Sequence, residues 1–268
     1  MKGILMVMAV AAISANAQEP VAPADAAAEL AKKLANPIAS LISVPLQYNY
    51  DENYGPDDEG TVSRLNIQPV IPISLNDDWN LIARMIIPLA DQHDAPVKGV
   101  DKSGLSDTVA SQFFSPKSPT ANGWIWGAGP VELLPTATDE LLGGEKWGVG
   151  PTAVALKQTG PWTFGALANH IWSVAGDDDR ADVSMTFCQP FGSYLTKTKT
   201  TLGLSSETTY DWEGEQWAVP VNATVGQMFK VGSQIMQFTV GARYWADSPD
   251  NGPEGWGGRA QLTFLFPK

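Results

Sequence analysis

A chain of 268 residues that is 44% apolar and carries ten tryptophans could build a large core, yet past its first residues it has no second long apolar run, which excludes a helical membrane protein. The net charge of −12 argues against nucleic-acid binding, since neutralising phosphates needs clustered Lys and Arg. One cysteine, Cys188, can make neither an intramolecular disulfide nor a thiolate zinc site, and two histidines, His93 and His170, leave little acid–base chemistry.

At the start, Lys2 precedes the apolar run Ile4 to Ile13 and the small-x-small triplet Ala15-Asn16-Ala17, the pattern of a signal peptide spanning residues 1–17. The alternative, an anchor helix, needs about 20 apolar residues and the run is too short. Residues 18–37 then read as a periplasmic linker: an Ala/Pro tract followed by a short amphipathic helix, with Glu29 and Lys33 at i,i+4, Leu30 and Leu34 on one face and Asn36-Pro37 as the stop. That helix is either a periplasmic tail or a plug that enters a barrel mouth.

From Ile38 to the end, residues 38–268 alternate apolar and polar in short runs separated by turn residues, which predicts one all-β domain. Runs fall near 38–50, 61–74, 79–89, 104–115, 121–133, 147–158, 161–175, 181–195, 199–211, 215–229, 233–246 and 256–266. About twelve strands, an even number, predict a closed antiparallel transmembrane β-barrel. The last run is the clearest: Gly258, Ala260, Leu262, Phe264 and Phe266 point one way, Arg259, Gln261, Thr263 and Leu265 the other. Connections after odd-numbered runs are mostly long and acidic, such as Asp51 to Gly60 and Ala90 to Ser103. Those after even-numbered runs are tight and often carry lysine, as at Lys117, Lys197, Lys199 and Lys230. Short periplasmic turns and longer outer loops give a barrel that segregation by parity.

Eight tryptophans stand at strand ends, Trp79, Trp147, Trp162, Trp172, Trp212, Trp217, Trp245 and Trp256, and read as girdles at the bilayer interface rather than as a soluble core. Placing the apolar parity in lipid leaves Arg64, Arg84, Arg243, Arg259, Glu132 and Glu207 as lumen-facing candidates, with Gln47 and Asn49 as neutral neighbours. Because the last strand must pair with the first, the four arginines could share one wall, either selecting anionic or polar solutes or satisfied by carboxylates in a shut interior. Twelve strands lie between filled and open barrels. Trp124 and Trp126, beside Pro130, read as girdle aromatics or as an apolar path.

No nucleophile elbow, phosphate loop or His-Glu-x-x-His helix occurs. A barrel hydrolase would need His170 near Ser173, or His93 beside Asp91 and Asp94, within hydrogen-bond reach of a nucleophile, and a rim histidine is the commoner case. Asp177-Asp178-Asp179 and the loop Asp51 to Glu59 lack EF-hand spacing and read as hydrated loops rather than Ca²⁺ or Mg²⁺ sites. No catalytic residues, cofactor or metal are expected.

Several stretches carry a resemblance: Leu34-Ala35-Asn36-Pro37-Ile38-Ala39-Ser40-Leu41-Ile42-Ser43-Val44-Pro45-Leu46-Gln47, Asn66-Ile67-Gln68-Pro69-Val70 with Pro72, Gly104-Leu105-Ser106-Asp107, Trp126-Gly127-Ala128-Gly129-Pro130 and Gly148-Val149-Gly150-Pro151. Over nearly all of the mature chain it resembles a bacterial outer-membrane family named for the meta-pathway of phenol degradation, whose members are often labelled transporter or neuromedin U. That resemblance implies a Gram-negative outer-membrane, porin-like barrel passing aromatic or other apolar compounds. The expected partners are outer-membrane lipid and lipopolysaccharide, the barrel-assembly machinery and a small-molecule solute, with no nucleic acid. The competing expectations are a structural or adhesive barrel with a closed lumen and, less favoured, a lipid hydrolase or acyltransferase.

Overall fold

The computed structural model describes residues 24–267, so the expected signal peptide and residues 18–23 lie outside the described residues. Helix α1 (Ala24–Leu34) precedes fifteen strands: β1 (Ile42–Tyr54), β2 (Gly60–Ile67), β3 (Val70–Ser74), β4 (Trp79–His93), β5 (Lys102–Leu105), β6 (Thr108–Pro116), β7 (Trp124–Leu134), β8 (Lys146–Thr159), β9 (Trp162–Gly176), β10 (Ser184–Leu195), β11 (Thr200–Ser206), β12 (Thr208–Asp211), β13 (Gln216–Val231), β14 (Gln234–Asp247) and β15 (Gly255–Phe266). They form a closed antiparallel barrel of twelve staves, because β2 with β3, β5 with β6 and β11 with β12 are each one interrupted stave. The seam is β1 against β15, in register from Ile42↔Phe266 to Tyr50↔Gly258. Closure leaves no unpaired edge, which is what a sheet surrounded by hydrocarbon requires.

The interruptions have a common cause. Gln68 lies opposite Pro45, Ser106 opposite Pro88 and Glu207 opposite Pro220, and in each pair the proline has no N–H to give the ladder. Its carbonyl still accepts: the N···O distances from Gln68, Ser106 and Glu207 are 2.9, 2.9 and 3.2 Å. The staves therefore continue through the gaps with one hydrogen bond fewer.

Alternation sorts the two faces as the sequence predicts, with one difference in what lies inside. On β4, Met85 and Leu89 are exposed on the outer face while Asn80, Ile82 and Ala90 are buried on the inner one. The interior, however, is half apolar: Ile82, Phe113, Val154, Leu156 and Leu167 pack together, joined by Ile38 from the N-terminal segment. A second inner cluster joins Val131, Leu133 and Ile171.

Ala-rich sequence favours α1, Lys32 and Lys33 in its last turn suit the helix dipole, and Lys33 pairs with Glu29 at 3.0 Å. The chain then turns inward. Leu30 and Leu34 pack on Ala39, Leu41 and Leu265, the side chain of Gln158 donates to the Lys32 carbonyl at 2.8 Å, and Asn80 donates to the Ser40 hydroxyl at 2.9 Å. The first wall strand thus begins at Ile42 rather than at residue 38, because residues 38–41 are used inside the mouth. Burying a side chain the size of Ile38 contributes roughly 1.5–3 kcal/mol toward holding this short segment in place.

At the opposite end the long loops interlock. Asp107 accepts from the backbone N–H groups of Ala137 and Gly144, the Arg180 guanidinium donates to the carbonyls of Glu140 and Gly143, and Lys102 meets Asp139 at 2.6 Å. Loop 135–145 is thereby tied to its neighbours on both sides.

Candidate functional site

The lumen holds a cationic wall facing an apolar one. Asn49 and Asp51 enter it because β1 sends Gln47, Asn49 and Asp51 to one face, and the register sets Asn49 directly between Arg64 on β2 and Arg259 on β15. Glu207 comes from the β11–β12 interruption, two staves from β14 and three from β15. Its carboxylate takes a bidentate pair from Arg259, at 2.8 and 2.7 Å, and lies 3.5 Å from the Arg243 Nη1. Two parallel N–H···O bonds of this kind fix geometry as well as charge.

Arg243 is held on its other side by Asp51 at 3.2 Å, and both Arg243 and Arg259 donate to the Asn49 side-chain oxygen Oδ1, at 3.2 and 2.7 Å. Side chains of Arg243, Arg259 and Asp51 are 7%, 6% and 1% exposed, so these charges are compensated mainly by one another. Four lumenal arginines face the two carboxylates of Asp51 and Glu207. Neither Arg64 nor Arg84 has a carboxylate within ion-pair distance among the described residues; the Arg84 guanidinium donates to the Gln68 side-chain oxygen Oε1 at 3.0 Å.

Toward the end with the short turns, the lumen opens into a cavity of about 300 Å³. Gln47, Gln68, Arg84 and Arg259 line one side together with Val70, which pairs with Arg84; Phe191 lies on the other among Gln189, Ser193 and Thr201, and residues between Leu34 and Leu41 contribute its lid. Gln47 ties the polar side together, donating to Gln261 at 3.0 Å and accepting from Gln68 at 3.3 Å.

Two expected positions are corrected. Glu132 does not face the lumen: its neighbours Val131 and Leu133 fill the inner face of β7, so Glu132 points out, in register with Ala110 and Val149, where Gln112 donates to it at 3.0 Å. The apolar parity of β7 is lumenal core, which inverts the assignment. Trp245 is not on the outer surface either. It follows Arg243 on the inner face of β14, donates its indole N–H to Asp51 at 2.9 Å and lies 4.7 Å beneath the Arg243 guanidinium.

The other seven tryptophans of the expected girdle stand on the outer wall at two levels. Trp79 and Trp162 are at the short-turn end, where Trp79 meets Trp126 edge-on at 5.9 Å, Trp162 meets Tyr194 and Trp124 meets Phe164. Trp147, Trp172, Trp212, Trp217 and Trp256 are at the long-loop end, the last three against Tyr210 or Tyr244.

His170 lies on the outer face, its Nδ1 2.7 Å from the Thr186 hydroxyl, which also accepts from the Trp212 indole. Ser173 is of the opposite parity and donates to Asp182, so the two do not meet. His93 sits among Asp91 and Asp101 at an exposed loop base. Asp177, in the acidic run, accepts from the backbone N–H of Asp179 in a local turn. The sequence reading missed Asp51, which it left in a loop, and the apolar wall. Continuing the Gln47, Asn49, Asp51 alternation would have found the first.

No protein-family model and no curated protein matches the chain. Among solved structures it is similar to an outer membrane channel from Pseudomonas putida F1, with 16% identity over 85% of this chain and 96% of that one and a TM-score of 0.65. It is also similar to the NanC porin, with 10% identity over 85% and 100% of the two chains and a TM-score of 0.52. At these identities the similarity establishes the barrel fold.

Proposed function

We propose that the chain is an outer-membrane channel through which small solutes pass passively, its short-turn end facing the periplasm. The observation that carries this reading is the cavity beneath the N-terminal segment, whose wall presents Arg84, with no carboxylate within ion-pair distance among the described residues, beside the apolar side chains of Leu34, Leu41, Val70 and Phe191. Such a lining suits a small solute with an apolar or aromatic body and an anionic or polar end. The barrel fold, the similarity to an outer membrane channel and to the NanC porin, and the sequence resemblance to the phenol-degradation meta-pathway family support the same reading. Two rows of outer tryptophans agree with interfacial girdles.

A sealed structural barrel is the second reading, favoured by the ion network across the lumen and by Ile38 packed into the apolar wall. Planar-bilayer conductance of the purified protein separates the two. Ohmic steps with anion preference, lost in Arg84→Ala, support the channel, and electrical silence supports the sealed barrel. We read the chain as having no catalytic centre, a reading that phospholipid turnover abolished by His170→Ala would overturn.

A further inference from the structure

We propose that the outer wall carries a binding site for one anionic phospholipid, with Lys157 at its head and an apolar groove for an acyl chain. The register sets Trp124, Lys157, Phe164, Gly192 and Leu204 side by side on the outer faces of β7 to β11. The next row inward from the short turns is Ala155, Ala166 and Pro190. Small side chains in both rows leave a recess of about 650 Å³, banked by the Trp124–Phe164 pair on one side and the protruding Leu204 on the other.

The recess has a direction. Lys157 stands next to the Thr159 end of β8, whereas Val221, at the far end of the groove, lies in the middle of β13. The groove therefore climbs from the short-turn interface into the wall, the course of a lipid tail across one leaflet of about 15 Å, half the hydrocarbon core. Residues lining it are overwhelmingly apolar, so hydrocarbon is the solvent it matches.

Charge selects the headgroup. Lys157 is half-buried between two aromatic neighbours and has no carboxylate within ion-pair distance among the described residues. Its chain runs toward the turn at Gly123, where a Cβ would lie 3.7 Å from Cε, so the ammonium snorkels to the interface beside Trp124. A phosphate with a further negative headgroup meets that cation; a zwitterionic one offsets it. The side of the membrane rests on the orientation given above, under which the occupant is a periplasmic-leaflet phospholipid rather than lipopolysaccharide.

The test equilibrates the purified barrel with mixed micelles of equimolar dioleoylphosphatidylglycerol and dioleoylphosphatidylcholine and reads retained lipid by native mass spectrometry. The expected result is one phosphatidylglycerol retained about fivefold over phosphatidylcholine, the ratio matching about 1 kcal/mol for one surface lysine. Lys157→Gln loses the preference, and Ala166→Trp, which fills the recess, retains less of both lipids, each variant keeping the heat-modifiable gel mobility of a folded barrel. Equal retention of the two lipids by the unaltered protein, or the same preference in Lys157→Gln, overturns the site while leaving the barrel reading intact. A folded chain that stays soluble without detergent overturns the membrane reading itself.

Discussion

Glu207 is the position where a single substitution disturbs the most charge. Replacing it with alanine removes the bidentate acceptor of Arg259 and the nearby partner of Arg243, leaving Arg243 with Asp51, and Arg259 with no carboxylate within ion-pair distance among the described residues. Breaking a buried pair by removing one partner costs roughly 3–5 kcal/mol because the other charge stays desolvated. Glu207 itself is 20% exposed, so lumenal water offsets part of that. The expected loss is about 2–4 kcal/mol, roughly 1 kcal/mol below the range for a fully buried pair. Equilibrium urea unfolding from lipid vesicles, followed by tryptophan emission, measures it. A second chain with Glu207→Leu and Arg259→Leu together removes both members of the bidentate pair and should recover most of the loss, ending within about 1.5 kcal/mol of the unaltered protein. A loss below about 0.5 kcal/mol for Glu207→Ala, within the range of an ordinary surface substitution, would refute the argument that these charges depend on one another. So would a double variant as unstable as the sum of its parts.

Gly150→Ala should yield little folded barrel on a heat-modifiability gel, since its Cβ would collide with the His170 backbone carbonyl and force β8 away from β9; normal yield would contradict that close approach. Replacing the outward polar pair with Gln112→Leu and Glu132→Leu should leave stability unchanged or raise it by up to about 1 kcal/mol, because a carboxylate on the lipid face of a barrel is a cost that apolar groups avoid; a lowered urea midpoint would place the pair in a structural role instead. The Asp139 carboxyl is held below the usual carboxylate range by the Lys102 ammonium and by the Leu141 N–H. Its contribution to loop 135–145 is therefore fully present above the ordinary carboxylate pKa and is lost as pH falls through the depressed value. Protease nicking of that loop should rise on acidification below about pH 4, and should rise less over the same range in Asp139→Asn, where only the other carboxylates tying the loop still titrate.

Strand identity and loop parity were legible because both follow from period and turn chemistry, and most strand ends fall within a few residues of where the alternation sets them. What alternation reports is that neighbours face opposite ways. It carries no label saying which face is lipid. On β4 and β14 the apolar face is outside, and Arg84 and Arg243 fall in the lumen accordingly. On β7 the inner face is itself apolar, so the same rule sends Glu132 to the wrong side. Trp245 failed for a related reason: an indole at a strand end looks interfacial, and its shared parity with Arg243 was the better guide. Ile38 to Leu41 kept the rhythm of a strand while serving as interior filling. The contact between Arg259 and Glu207 spans 52 residues and joins staves that are not neighbours, which no local pattern encodes.

The segment that stops the mouth runs without a break into the strand that closes the cylinder, since Leu41 is followed directly by Ile42, the first residue paired to β15. Stopper and seam are consequently one piece of chain. Ordering the cork therefore also pins the first rungs of the seam, from Ile42↔Phe266 to Val44↔Phe264, and shortening the cork should be felt as fraying of those rungs before it is felt as a wider bore.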